Sequence, residues 1–517
     1  MGKAGVPAGP ATATDALPPL RGARLALLTL ALALGTFMQV LDATIANVAV
    51  PTIAGNLGVS SSQGTWVITS YGVANAIGIP VTGWLARRFG EVRLFIWTVM
   101  LFALASLLCG LATGLAPLVV FRVIQGAVAG PMMPLSQSLL LTNYPPAKRG
   151  MAIALWGMTT SVAPVCGPIL GGYISDNFHW GWIFFINVPL GILVAWLSWS
   201  LLRGRESETG RQPTNYVGLA LLVLGVGALQ MMLDRGKELD WFNSGEIVTL
   251  AVAAVVGLSF LVVWELTDKR PIIDFSLFRS RNFTIGVVCI SLGMMVYLAS
   301  VVLLPLLLQT QLGYTATLAG LAAAPIGFFP IVLAPFVGRN AHRVDLRLLV
   351  SISFLVFAAC FYMRTFFFPQ MDFGFVVFPQ FVQGIALALF FTPLTAMAFA
   401  ELEPRQMAAG AGLFNFFRQL CGSIGVSVAT TLWERREALH HTHLTEHITP
   451  YNPLALESLE LLQRQGLSEL QSAGYLAREI TRQGFVLGAN EVFWLCALAL
   501  LALIPVVWLA KSAKKAA

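Results

Sequence analysis

Apolar stretches of roughly 20 residues recur about 14 times along this chain, each long enough for an α-helix to cross a ~30 Å hydrocarbon core. Lipid offers no water to backbone N–H and C=O groups, so such a segment must close its hydrogen bonds within itself, as a helix does. The fold class follows: an all-α polytopic membrane protein. The stretches lie near 25–47, 66–86, 93–113, 117–141, 151–174, 181–202, 214–233, 246–266, 284–308, 318–338, 346–366, 375–400, 407–431 and 490–511. Charged residues make up only 11% of the chain, under half of the roughly 25% usual in a soluble domain.

An even number of spans puts both termini on one side, and Lys and Arg accumulate in cytoplasmic loops. With a residue near a span end counted in the segment it adjoins, 22 of the 32 such residues lie on the side of the termini, including Arg87, Arg88, Arg93, Lys148, Arg149 and Lys511; 8 lie on the opposite side and 2 deep within spans. Both termini are therefore expected in the cytoplasm. The net charge of +7 then reflects orientation rather than nucleic-acid binding, for which no basic domain exists. Residues 1–24 read as a cytoplasmic tail, rich in Ala, Pro and Gly over its first twenty positions and lacking the pattern of a cleaved secretory signal. Cys109, Cys166, Cys289, Cys360, Cys421 and Cys496 all fall within spans and never in close pairs, so neither a disulfide framework nor a metal cage is expected.

Asp42 stands inside the first span, in LDATIANVAVP. A charge near the bilayer centre costs at least about 2.5 to 3.5 kcal/mol on insertion scales, so a carboxylate kept there is a functional hypothesis. Held out of water, a carboxyl can trade protons near neutral pH. Arg122 is its expected partner. The first span runs outward with Asp42 about 5 residues before its outer end, and the fourth runs inward with Arg122 about 5 residues after its start, which puts both at one depth in the outer half. Burial favours a carboxyl's neutral form and an adjacent cation its charged form, so displacing Arg122 would move a proton. The alternative is a fixed ion pair that only orders the bundle.

A weak repeat divides the chain. FRVIQG at 121–126 is echoed by PQFVQG at 379–384, an offset of 258, and Cys166 and Gly167 by Cys421 and Gly422. Two related halves are expected, 25–202 and 267–511, with two inserted spans in 203–266, an outer loop at 432–489 and a second tail at 512–517. Transporters are commonly built from such repeats around a midplane site. Arg122 is matched by Gln380, so charge handling belongs mainly to the first half. Gln39, Gln125, Gln380, Asn415 and Arg418 are the candidates for lining a substrate cavity; a cation at Arg418 suits anionic or weakly acidic compounds.

Five segments carry a family resemblance: LDATIANVAVP at 41–51, GWLARRFGEVR at 83–93, RVIQG at 122–126, CGPILGGY at 166–173 and HWGWIFFINVPLG at 179–191. They resemble the motif series of the major facilitator superfamily, and within it the 14-span drug:proton antiporters (DHA2). The likeness to the EmrB/FarB branch runs from about Arg21 to Lys511 and includes SQGTWVITSYGVANA at 62–76 and LDRGKELDWF at 233–242. It implies two six-helix halves plus two inserted helices. It also implies proton-coupled export, by alternating access and without a cofactor, of hydrophobic drugs, uncouplers or fatty-acid-like compounds. The chain would be the bacterial inner-membrane part of a tripartite pump, with an EmrA-type periplasmic adaptor and a TolC-like outer-membrane channel. By position, Asp42 and Arg122 match the acidic and basic residues of the first- and fourth-span motifs, and Gly167, Pro168, Gly171 and Gly172 the antiporter motif of the fifth, which implies a hinge or a tight seal between the halves. Gly83, Arg88, Gly90 and Arg93 match the gating loop after the second span. That loop departs from its family at Arg87, where an acid is usual; Glu91 is the candidate to substitute for it, and the family's charge pairing is not carried over.

The stretch 434–489 is the one long polar loop; its helical spacing of Leu predicts one or two surface helices, and four histidines, His440, His441, His443 and His447, stand at its start. Docking of the adaptor is its expected use. A proton-coupled transporter of another small hydrophobic or anionic metabolite, acting alone, is the alternative reading. A membrane enzyme lacks its nucleophile and base in the spans, and a sensor its soluble output domain.

Overall fold

The computed structural model describes residues 20–145, 148–210, 214–268, 271–340, 344–449 and 451–511. The tail 512–517 and most of 1–24 fall outside these, although α1 already begins at Gly22. The first half comprises α1 (Gly22–Leu57), a short α2 (Ser61–Gly64), α3 (Trp66–Phe89), α4 (Glu91–Gly110), α5 (Leu115–Ala129), α6 (Met132–Asn143), α7 (Arg149–Asn177), α8 (Trp182–Phe185) and α9 (Asn187–Leu202). The inserted pair is α10 (Tyr216–Arg235) and α11 (Gly245–Thr267). The second half holds α12 (Arg281–Thr310), α13 (Ala316–Ala323), α14 (Phe328–Asn340), α15 (Leu346–Arg364), α16 (Phe373–Phe399), α17 (Met407–Glu446), α18 (Pro453–Arg464) and α19 (Glu469–Trp508).

Twelve crossings among the described residues are long and apolar enough to traverse a membrane. The expected spans 66–86 and 407–431 coincide with α3 and α17, which are long enough but carry more polar and glycine positions. Their location explains it, because α3 and α17 pack on each other between the halves. Three expected spans are broken helices: α5 and α6 meet at Gly130 and Pro131, α8 and α9 at Ile186, and α13 and α14 across the 3-10 turn Ala324–Gly327. At the first break the backbones of α3 and α5 touch. A Cβ on Gly130 would lie 2.6 Å from the carbonyl carbon of Gly78, and one on Gly126 would lie 2.4 Å from the Tyr71 carbonyl oxygen.

The packing of the first half recurs helix for helix in the second. α1 against α7 and α9 becomes α12 against α17 and α19, and α4 against α5 and α9 becomes α15 against α16 and α19. The seam repeats as well, α3 on α17 answering α14 on α7. Close approaches across it lie toward the end that carries the termini: a Cβ on Gly83 would sit 2.8 Å from Ala409 Cα, and one on Gly338 would sit 2.6 Å from Gly150 O. Of the inserted pair, α10 lies on α3 and α17 along this seam, and α11 packs on α10.

The stretch 432–489 is mostly helical, and most of its helix continues that of the bundle. α17 and α19 have 40 residues each, about 60 Å of helix, twice the hydrocarbon thickness, and they leave the far end of the bundle as a hairpin closed by α18. Gly484 and Gly488 let the two backbones close: a Cβ on Gly488 would be 3.0 Å from Trp433 O. Trp433 Nε1 donates to Phe485 O at 2.7 Å, and Glu491 forms an ion pair with Arg436 at 3.2 Å and pairs with His440 at 3.0 Å. Ser468 and Gln471 form a capping box that starts α19.

Glycine spacing along α12 and α17 makes a testable claim. A Cβ on Gly425 would come within 2.1 Å of Met295 O, whereas one on Gly172 meets nothing within 4 Å. Gly425→Val should therefore lower the unfolding temperature of the detergent-purified protein, with an overpacking cost of about 1–3 kcal/mol. Gly172→Ala should leave it unchanged.

Candidate functional site

Asp42 and Arg122 are both 0% exposed. Arg122 Nη1 donates to Asp42 Oδ2 at 2.6 Å and to Gln125 Oε1 at 2.9 Å, and its Nε donates to the Val67 carbonyl at 2.9 Å. The other carboxylate oxygen, Oδ1, accepts from Gln125 Nε2 at 3.0 Å and from Asn187 Nδ2 at 2.7 Å. Asn187 also reaches Ser106 at 3.0 Å, and the guanidinium lies 4.1 Å from the Tyr71 ring centroid. Helical spacing builds the arginine's side of the site: Arg122 and Gln125, three apart on α5, share a face. Val67 and Tyr71, four apart on α3, supply the opposing one. A carboxylate with three donors and a guanidinium with three acceptors is a near-complete shell. Among the described residues Arg122 Nη2 and Asn187 Oδ1 have no partner.

Sequence reasoning missed Asn187, Ser106, Val67 and Tyr71. Asn187 had a signal, being the polar residue of the otherwise apolar FFINVPLG run. Val67 contributes only a carbonyl, which no side-chain pattern reports.

A second buried guanidinium was also missed. Arg364, counted by topology among the outer basic residues, is 0% exposed. It donates to Ser300 Oγ, to Gln383 Oε1 and, at 2.6 Å, to Gln380 Oε1, with Phe361 and Phe493 within 5.5 Å of its guanidinium carbon. The 258-residue offset could have found it. Applied to Asp42, Ser106, Arg122 and Gln125, it gives Ser300, Arg364, Gln380 and Gln383. The two clusters occupy matching places; in the second, the cation has moved to the neighbouring helix and serine stands where the carboxylate was.

The cavity candidates thus fall in three places. Gln125 belongs to the ion pair, and Gln39, one turn before Asp42, donates to Asn75 at 3.4 Å. Gln380 belongs to the Arg364 cluster. Asn415 and Arg418 lie on the seam: Asn415 donates to Gln137 at 2.7 Å, and Arg418, 5% exposed, to Met133 Sδ. Arg418 has no carboxylate partner among the described residues, and its Nε has no acceptor there.

Gly167 and Gly171 press α7 onto α1 of the same half, where a Cβ would meet Thr44 Oγ1 at 2.1 Å and Ile45 O at 2.9 Å. The contact is internal to the first half rather than a seal between halves. Gly172 makes no close approach, and the side chain of Pro168 lies outside the described residues. In the gating loop Gly83 touches the second half, Arg88 donates to Thr214 at 2.8 Å, and Arg93 lies 3.8 Å from Glu206. Gly90, at φ 88°, leaves room for the Glu206 carboxylate, which accepts from Val92 N and Arg93 N at 2.9 Å each. The acid that meets the N-terminus of α4 comes from the linker after α9. The six cysteines are free.

The profile of the Major Facilitator Superfamily matches residues 32–426. The chain is 61% identical to the multidrug export protein EmrB of Haemophilus influenzae over 495 residues, covering 96% of this chain and 97% of the relative. It is 58% identical to the fatty acid resistance protein FarB of Neisseria gonorrhoeae over 494 residues, covering 96% and 97%. Its fold is similar to that of a double-Trp mutant of XylE, with a TM-score of 0.61 at 14% identity, covering 96% of this chain and 98% of that one.

Asp42→Ala should strand a buried guanidinium and cost about 3–5 kcal/mol, read as a lower unfolding temperature. Adding Arg122→Leu should recover most of that loss, since neither charge is then left alone. Equal melting of the single and double variants would show that the two side chains are not coupled.

Proposed function

This chain belongs to the major facilitator superfamily, in its EmrB/FarB branch, and on that premise we propose that it exports hydrophobic drugs, uncouplers or fatty-acid-like compounds in exchange for protons. It is a transporter, not an enzyme. The observation that carries the coupling is the fully buried Asp42–Arg122 pair. Here a proton and a guanidinium compete for one carboxylate, so protonating Asp42 frees Arg122, and the convergence of α1, α3, α5 and α9 on the pair supplies a route from that event to helix movement. Asp42 and Arg122 are the coupling residues in this reading. Gly167 and Gly171 keep α7 against α1 as the half moves. Gly83, Arg88, Gly90 and Arg93 belong to the gate at the end of the bundle that carries the termini.

The excess of Lys and Arg on that end supports a cytoplasmic placement, in a bacterial inner membrane crossed 14 times. Arg418, buried at the seam with no carboxylate partner among the described residues, is the contact for anionic or weakly acidic substrates, with Asn415 beside it. The hairpin of α17, α18 and α19 then stands in the periplasm. Its tip shows Tyr451, Leu454 and Leu470 at 93%, 73% and 84% exposure, an apolar surface suited to an EmrA-type adaptor that leads to a TolC-like channel.

Proteoliposomes offered a halogenated phenol, an aryl carboxylate and a long-chain fatty acid in turn test this directly. Asp42→Asn should abolish substrate-driven proton movement while preserving substrate binding; wild-type exchange in that variant would remove Asp42 from the coupling. Replacing 447–468 by a short Gly/Ser link should preserve exchange in proteoliposomes yet weaken adaptor co-purification. Loss of exchange with adaptor binding intact would place the hairpin in the gate instead.

A further inference from the structure

We propose that Glu91 is the group through which protons leave on the cytoplasmic side. The inference rests on the proton-coupled reading above and adds a residue to it. Three carboxylates are buried among the described residues: Asp42, Glu91 and Glu265. Glu265 accepts from Ile273 N at 2.9 Å and Asn215 Nδ2 at 3.4 Å, which joins the inserted pair to the segment that follows it. Glu91 has no such duty.

An acid in the first turn of a helix ordinarily stabilises the helix N-terminus. At α4 that task is already taken, since Glu206 accepts from Val92 N and Arg93 N, and Ser207 Oγ accepts from Glu91 N at 3.0 Å. The Glu91 carboxylate is left with one side-chain hydrogen bond, from Ser138 Oγ at 2.7 Å, and with no ion pair among the described residues. Ser138 lies on α6, which continues the crossing that carries Arg122.

Glu91 also lines a cavity of about 870 Å³ that opens at the end carrying the termini. Its charged neighbours there are Arg87 of α3, Arg205, Glu206 and Glu208 of the linker, and Glu403 and Arg405 before α17. Arg93, on its own helix, turns to Glu206, and Glu208 pairs with Arg405 at 2.8 Å across the seam. Between this cavity and Asp42 lies a polar step. Thr36, six residues or about 9 Å along α1 from Asp42, bonds Ser136 of α6 at 2.6 Å, and Trp156 Nε1 donates to both. Ser136 is two residues from Ser138.

The transfer balances simply. Protonated Asp42 gives its proton, through these hydroxyls and water admitted as the cytoplasmic end opens, to the Glu91 carboxylate. Asp42 is left charged and pairs again with Arg122. Glu91 then gives the proton to cytoplasmic water and returns to its charged form.

The test uses full-length protein in oriented proteoliposomes, with pH set independently on the two faces and the panel compound that wild type exchanges fastest. Glu91→Gln should slow exchange by about a hundredfold, a loss typical of a missing proton-transfer group, and make the residual rate insensitive to pH on the cytoplasmic face alone. Substrate binding and unfolding temperature should hold, and Glu91→Asp should restore most of the rate. A Glu91→Gln protein with the wild-type rate and pH profile overturns the proposal. So does a loss that comes with a lowered unfolding temperature and is not restored by aspartate, since that describes a structural residue. A wild type that moves substrate but no protons sinks the coupled reading itself, and is told apart by being seen before any variant is made.

Discussion

A carboxylate and a guanidinium shut away from water survive only if they face each other and if their remaining donors and acceptors are also met, because removing each ion from water costs several kcal/mol. In this protein that requirement organises half the molecule. Asp42 comes from α1, Arg122 and Gln125 from α5, the Val67 carbonyl and the Tyr71 ring from α3, Asn187 from α9, and Ser106, which holds Asn187, from α4. Five crossings meet at one point. None can rotate by a residue without leaving a buried polar group unpaired, so the pair specifies the register of the bundle as much as it is held by it.

Much of this was legible before any coordinate. Apolar length places the crossings, and counting residues from the ends of two spans puts Asp42 and Arg122 at one level. Such arithmetic reports depth and nothing about rotation. It therefore could not say that Asn187 turns toward Asp42, or that Gly167 and Gly171 meet α1 rather than the other half. Hydropathy is also blind to continuity. It reads 117–141 as one segment although Gly130 and Pro131 break it; in 432–489 the Leu spacing signals helices, but nothing in hydropathy says that they continue α17 and α19. Arg364 lay near a span boundary, where a basic residue counts as a loop residue by default, and only its repeat-related position marks it as internal.

The comparison of the halves shows how one packing plan can hold two chemistries. The first cluster has a carboxylate that can gain or lose a proton. The second sets Arg364 among two glutamines and Ser300, with no carboxylate paired to it among the described residues. The departure at Arg87 has the same character. The acid that its family places in that loop is absent from the loop, and Glu206 reaches the α4 N-terminus from a different segment, with Gly90 clearing the space. Function at these points is carried by position in the fold, with the residue that fills it free to arrive from elsewhere along the chain.

The hairpin beyond the membrane is continuous with the bundle, and this has a mechanical consequence. α17 and α19 run unbroken from inside the second half to its outer tip, and the hairpin is tied to the turn between α15 and α16 by Arg482 and Asn490, which donate to Pro369 O and Phe367 O at 2.6 and 2.9 Å. It cannot bend independently of the half that bears it. It behaves as a lever. A tilt of about 10° in the second half, acting over roughly 30 Å of projecting helix, carries the tip some 5 Å sideways, so whatever rests on that tip would feel each cycle of the transporter as a stroke.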